Sequence, residues 1–209
     1  MTEEDEKSPS EHRLDRTLAL SDGVFAFAIT LLVLDLAVPS LTSGASSADL
    51  LNALSTEYLR FFSYALSFLI AGVWWNAHHR NFSHIRRSDS TLRWLNLLFL
   101  LWIALLPFFT KILNQYETIS LGVILYAVDQ AAAGIFLSIS WVYASRNHRL
   151  IDKNLKRSII QYGTIRNIIA PVFFVASIGI ALVNPIAATL SWFGMFPVMV
   201  VIQRFERRK

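Results

Sequence analysis

The chain is laid out as long apolar runs separated by short polar stretches, and each run is long enough to predict a helix. The first helix is expected over about 14–37, with Pro39 closing it. Residues 38–50 follow as a loop without Lys or Arg, and Leu51 to Tyr58 as a short surface helix. The second span is expected over about 59–79, where 17 uncharged residues run from Phe61 to Ala77. The third, over about 91–113, has 17 uncharged residues between Arg93 and Lys111, and Pro107 is expected to kink or end it. Asn114 to Thr118 form a turn, and a fourth span over about 119–145 carries Asp129 and Gln130. From Asn167 to Gln203 the chain is uncharged for 37 residues. As one helix that run would extend about 55 Å, too long for a single crossing. Asn184-Pro185 supplies a break, giving spans over about 163–183 and 186–204.

Charge sorts the ends of these helices. The connections after the second and fourth spans are basic (Arg80, Arg86, Arg87; Arg146, Arg149, Lys153, Lys156, Arg157), as is the C-terminal stretch Arg204, Arg207, Arg208, Lys209. The connections after the first and fifth have no Lys or Arg, and the one after the third has only Lys111 at its edge. The positive-inside rule then predicts six spans with both termini cytoplasmic. The fold class is an all-α polytopic membrane protein: residues 1–12 as a disordered tail, and 13–209 as one six-helix membrane domain without internal duplication.

Composition agrees. Of 209 residues, 54% are apolar and only 16% charged, and the mean hydropathy is +0.45. A net charge of +4 could mark a nucleic-acid binder in a soluble chain. Here the basic residues sit between apolar runs, so membrane topology accounts for them and no nucleic acid is expected. The absence of cysteine excludes disulfides, thiolate metal sites and cysteine catalysis. Residues 1–12 lack the basic start and short apolar core of a signal peptide.

The first helix is unusual. Only 12 uncharged residues separate Asp22 from Asp35, about 18 Å of helix. At least one of these acids lies at or below the lipid surface, so the helix is expected to be an inner one, shielded from lipid. Leu20, Phe27, Leu31 and Leu34 fall within roughly 40° of one line, with Gly23, Val24 and Thr30 at its edges, while Ser21 and Asp22 point well away. Such a stripe packs on a neighbouring helix or, in a symmetric assembly, faces an axis.

Read without context, Arg16, Ser21 and Asp22 are an interfacial arginine beside locally hydrogen-bonded side chains. Adjacent His78 and His79 point in different directions, and no carboxylate stands three or four residues on to complete a metal site with them or with His84. Asp129 is an intramembrane acid, open to a functional role or to a buried interhelical hydrogen bond. The chain has no TVGYG-like filter, P-loop, G-x-S-x-G elbow or H-E-x-x-H motif.

Arg16-x-x-x-Leu20-Ser21-Asp22, followed by Gly-Val-Phe-Ala and Ile-Thr-Leu-Leu-Val-Leu, resembles the first helix of the transmembrane protein 175 family, with its R-x-x-x-F-S-D signature. Trp75 to Phe82 (WNAHHRNF) and Leu106-Pro107-Phe108 resemble its second- and third-helix patterns. Leu20 stands where the family usually has Phe, and Phe27 where Ile is typical. The resemblance implies a homotetrameric, potassium-selective channel in a prokaryotic plasma membrane, with potassium as the permeant, no cofactor and no catalysis. It implies a constriction of apolar side chains on the first helix, here Phe27, Leu31 and Leu34 with Thr30 beside them. Asp35 would then concentrate cations at the outer mouth. It also implies that the signature ties the first helix to the second and third through polar contacts, with His78, His79 and Asn96 as expected partners of Arg16, Ser21 and Asp22. The competing readings are a proton- or ion-coupled transporter relaying through Asp22, Asp129 and the histidines, and a redox enzyme holding haem on His78 and His79.

Overall fold

The computed structural model describes residues 9–36, 38–116 and 118–198. Seven α-helices carry the chain: α1 Pro9–Leu32, α2 Ser47–Thr56, α3 Tyr58–His84, α4 Ser90–Gln115, α5 Ser120–Ser145, α6 Arg157–Val183 and α7 Pro185–Ser191. Among the described residues the only β pairing is an isolated bridge between Ile85 and Ile151. Four helices are long and apolar enough to cross a membrane: His12–Asp35, Ser90–Gln115, Ser120–His148 and Arg157–Val183. The chain is a multi-pass helical membrane protein.

The remaining two expected spans differ for physical reasons. α3 has 27 residues, about 40 Å of helix, and is long enough to cross. Its hydropathy is lowered by Ser63, Ser67, His78 and Asn81, which are buried against other helices and need no lipid compatibility. The last apolar helix is described only over Pro185–Val198, so the rest of the span expected at 186–204, and the basic C-terminal stretch, lie outside the described residues.

Local sequence sets the boundaries. α1 begins at Pro9, inside the stretch expected as a tail, and gives way after Leu32 to a 3-10 turn over Val33–Asp35. α2 starts earlier than the hydrophobic pattern suggests, because Ser46 and Asp49 form a reciprocal capping box. The Ser46 hydroxyl and amide both bond Asp49 and hold its carboxyl below the usual range. α4 runs unbroken through Pro107 to Gln115, so the expected end at that proline is not observed. The break at Asn184-Pro185 is observed: Asn184 leaves the helix in extended conformation, and its side chain accepts from the Ala187 amide. Pro185 opens α7, where a missing N–H costs nothing.

α5 is the most enclosed helix and packs most extensively on α6 and α4, while α1 lies against α4 and α3. Two close approaches let α3, α5 and α6 meet. A Cβ at Gly134 would stand 2.7 Å from Trp74 and 2.8 Å from Pro171. Gly134→Ala should therefore destabilise the fold by about 1–3 kcal/mol through overpacking. Thermal unfolding in detergent, with Gly23→Ala as the open-space comparison, measures it.

One end of the molecule gathers the basic connections. The Arg86 and Arg87 amides donate to Leu150 O at 2.8 and 3.2 Å, tying the α3–α4 connection to the α5–α6 connection. Asp89 caps α4 through the Leu92 amide, accepts from the Tyr143 hydroxyl at 2.7 Å and faces Arg149 at 3.7 Å. Leu14, from the start of α1, packs into the same cluster with Phe82, Ile85, Leu92, Leu150 and Ile151.

Candidate functional site

The signature side chains divide into two groups. Ser21, on the buried face of α1, meets Asn96 of α4 and His78 of α3, and all three are buried. Asn96 Nδ2 donates to Ser21 Oγ at 3.0 Å, and Ser21 Oγ donates to Thr17 O at 2.9 Å. Asn96 Oδ1 is thereby left as an acceptor, 2.9 Å from His78 Nε2, so that nitrogen carries the proton. A single directed chain of bonds joins α3, α4 and α1. Aromatic rings hold the imidazole: Phe82 and Phe99 stack on it at 4.2 and 5.5 Å between centroids, and Phe25 lies at 6.3 Å.

Asp22 belongs to the second group. It is exposed on the single chain rather than buried, and its partner is Trp75, whose Nε1 donates at 2.9 Å. Trp75 in turn stacks on His79 at 5.7 Å. His79 therefore reaches the signature through an indole and not through a hydrogen bond. Arg16 stands apart from both groups. It is exposed, and its guanidinium makes no hydrogen bond or ion pair among the described residues; it lines a cavity with Arg13 and Arg93. Trp75, Phe82 and Phe99 were not anticipated as partners. The only hint was that Trp75 and Phe82 fall in the same α3 stretch as the histidines.

The apolar stripe of α1 is open, though turned from its expected centre. Leu20, Phe27 and Leu34 are 50%, 64% and 75% exposed. Gly23 and Thr30 are exposed as well, whereas Leu31 is half-buried at the margin. At about 100° per residue the open arc centres on Gly23 and Thr30, roughly 80° from Leu20. The reason lies opposite: Leu14, Ser21, Phe25, Ala28 and Leu32 form the buried face, and Val24 and Ile29 pack beside them. In one chain α1 is thus a peripheral helix with its inner face on α3 and α4, not an enclosed one. Thr30 keeps its hydroxyl satisfied by donating to Phe27 O at 2.9 Å.

Leu34 sits in the 3-10 turn, and the next residue anchors that turn: Asp35 accepts from Asn114 Nδ2 at the end of α4. Asp35 also lines a 330 Å³ cavity with Arg60 and Lys111, so the acid is accompanied by cations at this end. Asp129 is buried on α5; Gln130 Nε2 donates to its Oδ2 at 2.7 Å, and Trp74 Nε1 donates to Gln130 Oε1 at 2.7 Å. It has no contact with Asp22 or His78 in these bonds. Among the described residues no group of three or more His, Cys, Asp or Glu is placed to hold a metal.

Comparison with known proteins places this geometry. The family model described as "Endosomal/lysosomal potassium channel TMEM175" matches residues 16–107. A protein of Streptomyces collinus named a potassium channel is 31% identical over 173 residues, covering 81% of this chain and 82% of its own. The human protein named an endosomal/lysosomal proton channel TMEM175 is 38% identical over 98 residues, 44% of this chain and 19% of its own. The crystal structure of a lysosomal potassium-selective channel TMEM175 homolog from Chamaesiphon minutus superposes with a TM-score of 0.76 at 25% identity, covering 94% of this chain and 98% of that one. A shared fold over nearly the whole length, and a relative matched along four-fifths of both chains, lead to one conclusion: the chain belongs to the TMEM175 family.

Proposed function

We propose that this protein is a potassium-selective channel of a prokaryotic plasma membrane, conducting along an axis lined by α1 from four copies of the chain. The observation that carries the reading is the open face of α1. It presents Asp22 and Thr30 with Phe27 and Leu34 on a helix apolar enough to span the membrane. An exposed acid on such a helix turns toward protein or water rather than lipid. Four copies related by a closed cyclic axis satisfy that demand. The open arc is wider than a pore lining needs, so part of it packs on the adjacent copy. Phe27, Leu31 and Leu34 then form successive apolar layers, with Thr30 beside them and Asp35 at the outer mouth. An apolar ring cannot replace an ion's hydration shell. Passage requires partial dehydration, which the larger potassium ion tolerates better than sodium. Ser21, Asn96, His78, Asp22 and Trp75 hold α1 in register, and Arg16 flanks the inner entrance.

The topology proposed is six spans over residues 13–209 with both termini in the cytoplasm. Its support is that the start of α1 and both basic connections gather at one end of the molecule. Ser43 is exposed in the connection expected outside, and Arg87 is exposed at the basic end; Ser88 beside it is buried and unsuitable as a probe. Cysteine at Ser43 should label with an impermeant reagent added outside intact cells, and cysteine at Arg87 should not. Equal labelling removes the six-span arrangement.

Conduction is tested with purified protein in liposomes under a potassium gradient. The membrane potential should settle near the potassium equilibrium value without any other driving ion. A relative named a proton channel makes the proton arm informative: flux that appears only with an imposed proton gradient would mean coupled transport instead.

A further inference from the structure

We infer that the cavity between the first turns of α1 and α4 binds a phosphate group, and that the group is the headgroup of an anionic phospholipid from the cytoplasmic leaflet. The cavity measures 510 Å³, and Arg13, Arg16 and Arg93 line it. The side chains of Arg16 and Arg93 make no hydrogen bond or ion pair among the described residues, so their donors are open to an incoming ligand. The polar wall offers nothing that competes. Thr17 Oγ1 donates to Arg13 O at 2.8 Å, and Asn96 is occupied by Ser21 and His78. A site whose open polar groups are guanidiniums selects an anion, and their planar forks suit phosphate oxygens.

The apolar lining favours a lipid as the source. Arg16 precedes Leu20 by one turn on α1, and Arg93 precedes Leu97 by one turn on α4; both leucines line the cavity and are exposed. Each helix therefore presents an arginine near its start and a leucine about 6 Å farther along. An amphiphile with its anionic head toward the helix starts and its chain toward the membrane matches that order. A basic pocket between transmembrane helices at the cytoplasmic side lies where anionic lipid is concentrated. The inference needs the cytoplasmic placement proposed above but not the channel activity, and binding is read independently of flux.

The test is native mass spectrometry of the delipidated full chain with palmitoyl-oleoyl phosphatidylglycerol, or with phosphatidylcholine carrying the same chains. Phosphatidylglycerol should bind about tenfold or more tightly than phosphatidylcholine. Arg16→Gln/Arg93→Gln should abolish that preference, while Arg86→Gln/Arg87→Gln, which removes equal charge from exposed positions outside the cavity, should retain it. Should the first pair fail to fold, Arg93→Gln alone lowers the preference in the same direction. Equal binding of the two lipids, or equal loss in both variant pairs, overturns the site. Displacement of the lipid by millimolar inorganic phosphate overturns the lipid as the source. Binding that appears only after removal of residues 1–8, which include Glu3, Glu4, Asp5 and Glu6, makes that acidic segment the occupant and overturns the inference as well.

Discussion

Asn96→Leu should cost about 2–5 kcal/mol of stability, because it leaves two buried polar groups without partners. The side chain is the middle link of the bonds from His78 to Ser21. Leucine matches its volume but returns neither the acceptor for His78 Nε2 nor the donor for Ser21 Oγ. The effect is separable from simple loss of packing by adding His78→Phe. That ring enters an aromatic enclosure of Phe25, Phe82 and Phe99 already built for a flat side chain, and it removes the orphaned N–H. The double variant should recover about 1–3 kcal/mol relative to the sum of the singles, since replacing both partners of a bond by apolar groups is far less costly than replacing one. Thermal unfolding of the four proteins in one detergent gives the cycle. Additive losses would mean that the bond contributes nothing.

Most of the helical framework was legible because membrane helices announce themselves by length and by what interrupts them. The start of α4, the Asn184-Pro185 break and the limits of α5 all fall within one or two residues of expectation. Two local features were not. Pro107 was expected to stop or kink its helix, yet the helix continues through Leu106, Phe108 and Phe109 to Gln115. A proline removes one backbone bond, and an enclosed helix packed on α5 and α1 tolerates that loss. α3 extends five residues beyond its expected end, to His84. Its polar residues look like a loop in sequence, but Asn81 and His78 are buried on the helix and satisfied by other helices.

Partnerships within the signature were only partly legible, for a geometrical reason. Periodicity gives the direction of a side chain about its own helix and nothing about the helix opposite. It separated Ser21 and Asp22 from the Leu20–Phe27 line correctly, but it could not say that Ser21 would meet Asn96 while Asp22 met Trp75. It placed Leu31 near the middle of the stripe because apolarity was the criterion. Neighbours decide the open arc instead, and the small Gly23 and polar Thr30 lie at its centre while Leu31 is half-covered. Asp35 was expected as a free charge at the mouth; Asn114 binds it, a contact between residues 79 positions apart that no local pattern reveals.

Phe27→Ala should give the largest change in ion discrimination of any single substitution on α1. Phe27 is 64% exposed on the open face, and its ring is the bulkiest group there, so truncation in four subunits widens one layer without emptying the chain's own core. A wider layer lets ions pass with more of their water. Sodium holds its shell more tightly and gains more than potassium, so the potassium preference should fall by about tenfold, equivalent to about 1.4 kcal/mol between the two barriers, while current rises. Leu34→Ala should act in the same direction, since that residue is 75% exposed. Leu31→Ala should combine a smaller loss of preference with some destabilisation, because its side chain is half-buried. Ile29→Ala is the matched comparison: it packs against the core of its own chain and should change stability, not selectivity. The measurement is the reversal potential of each variant in liposomes with potassium on one side and sodium on the other. A shift with Ile29→Ala and none with Phe27→Ala would mean that the open face of α1 packs against protein or lipid and that ions pass elsewhere.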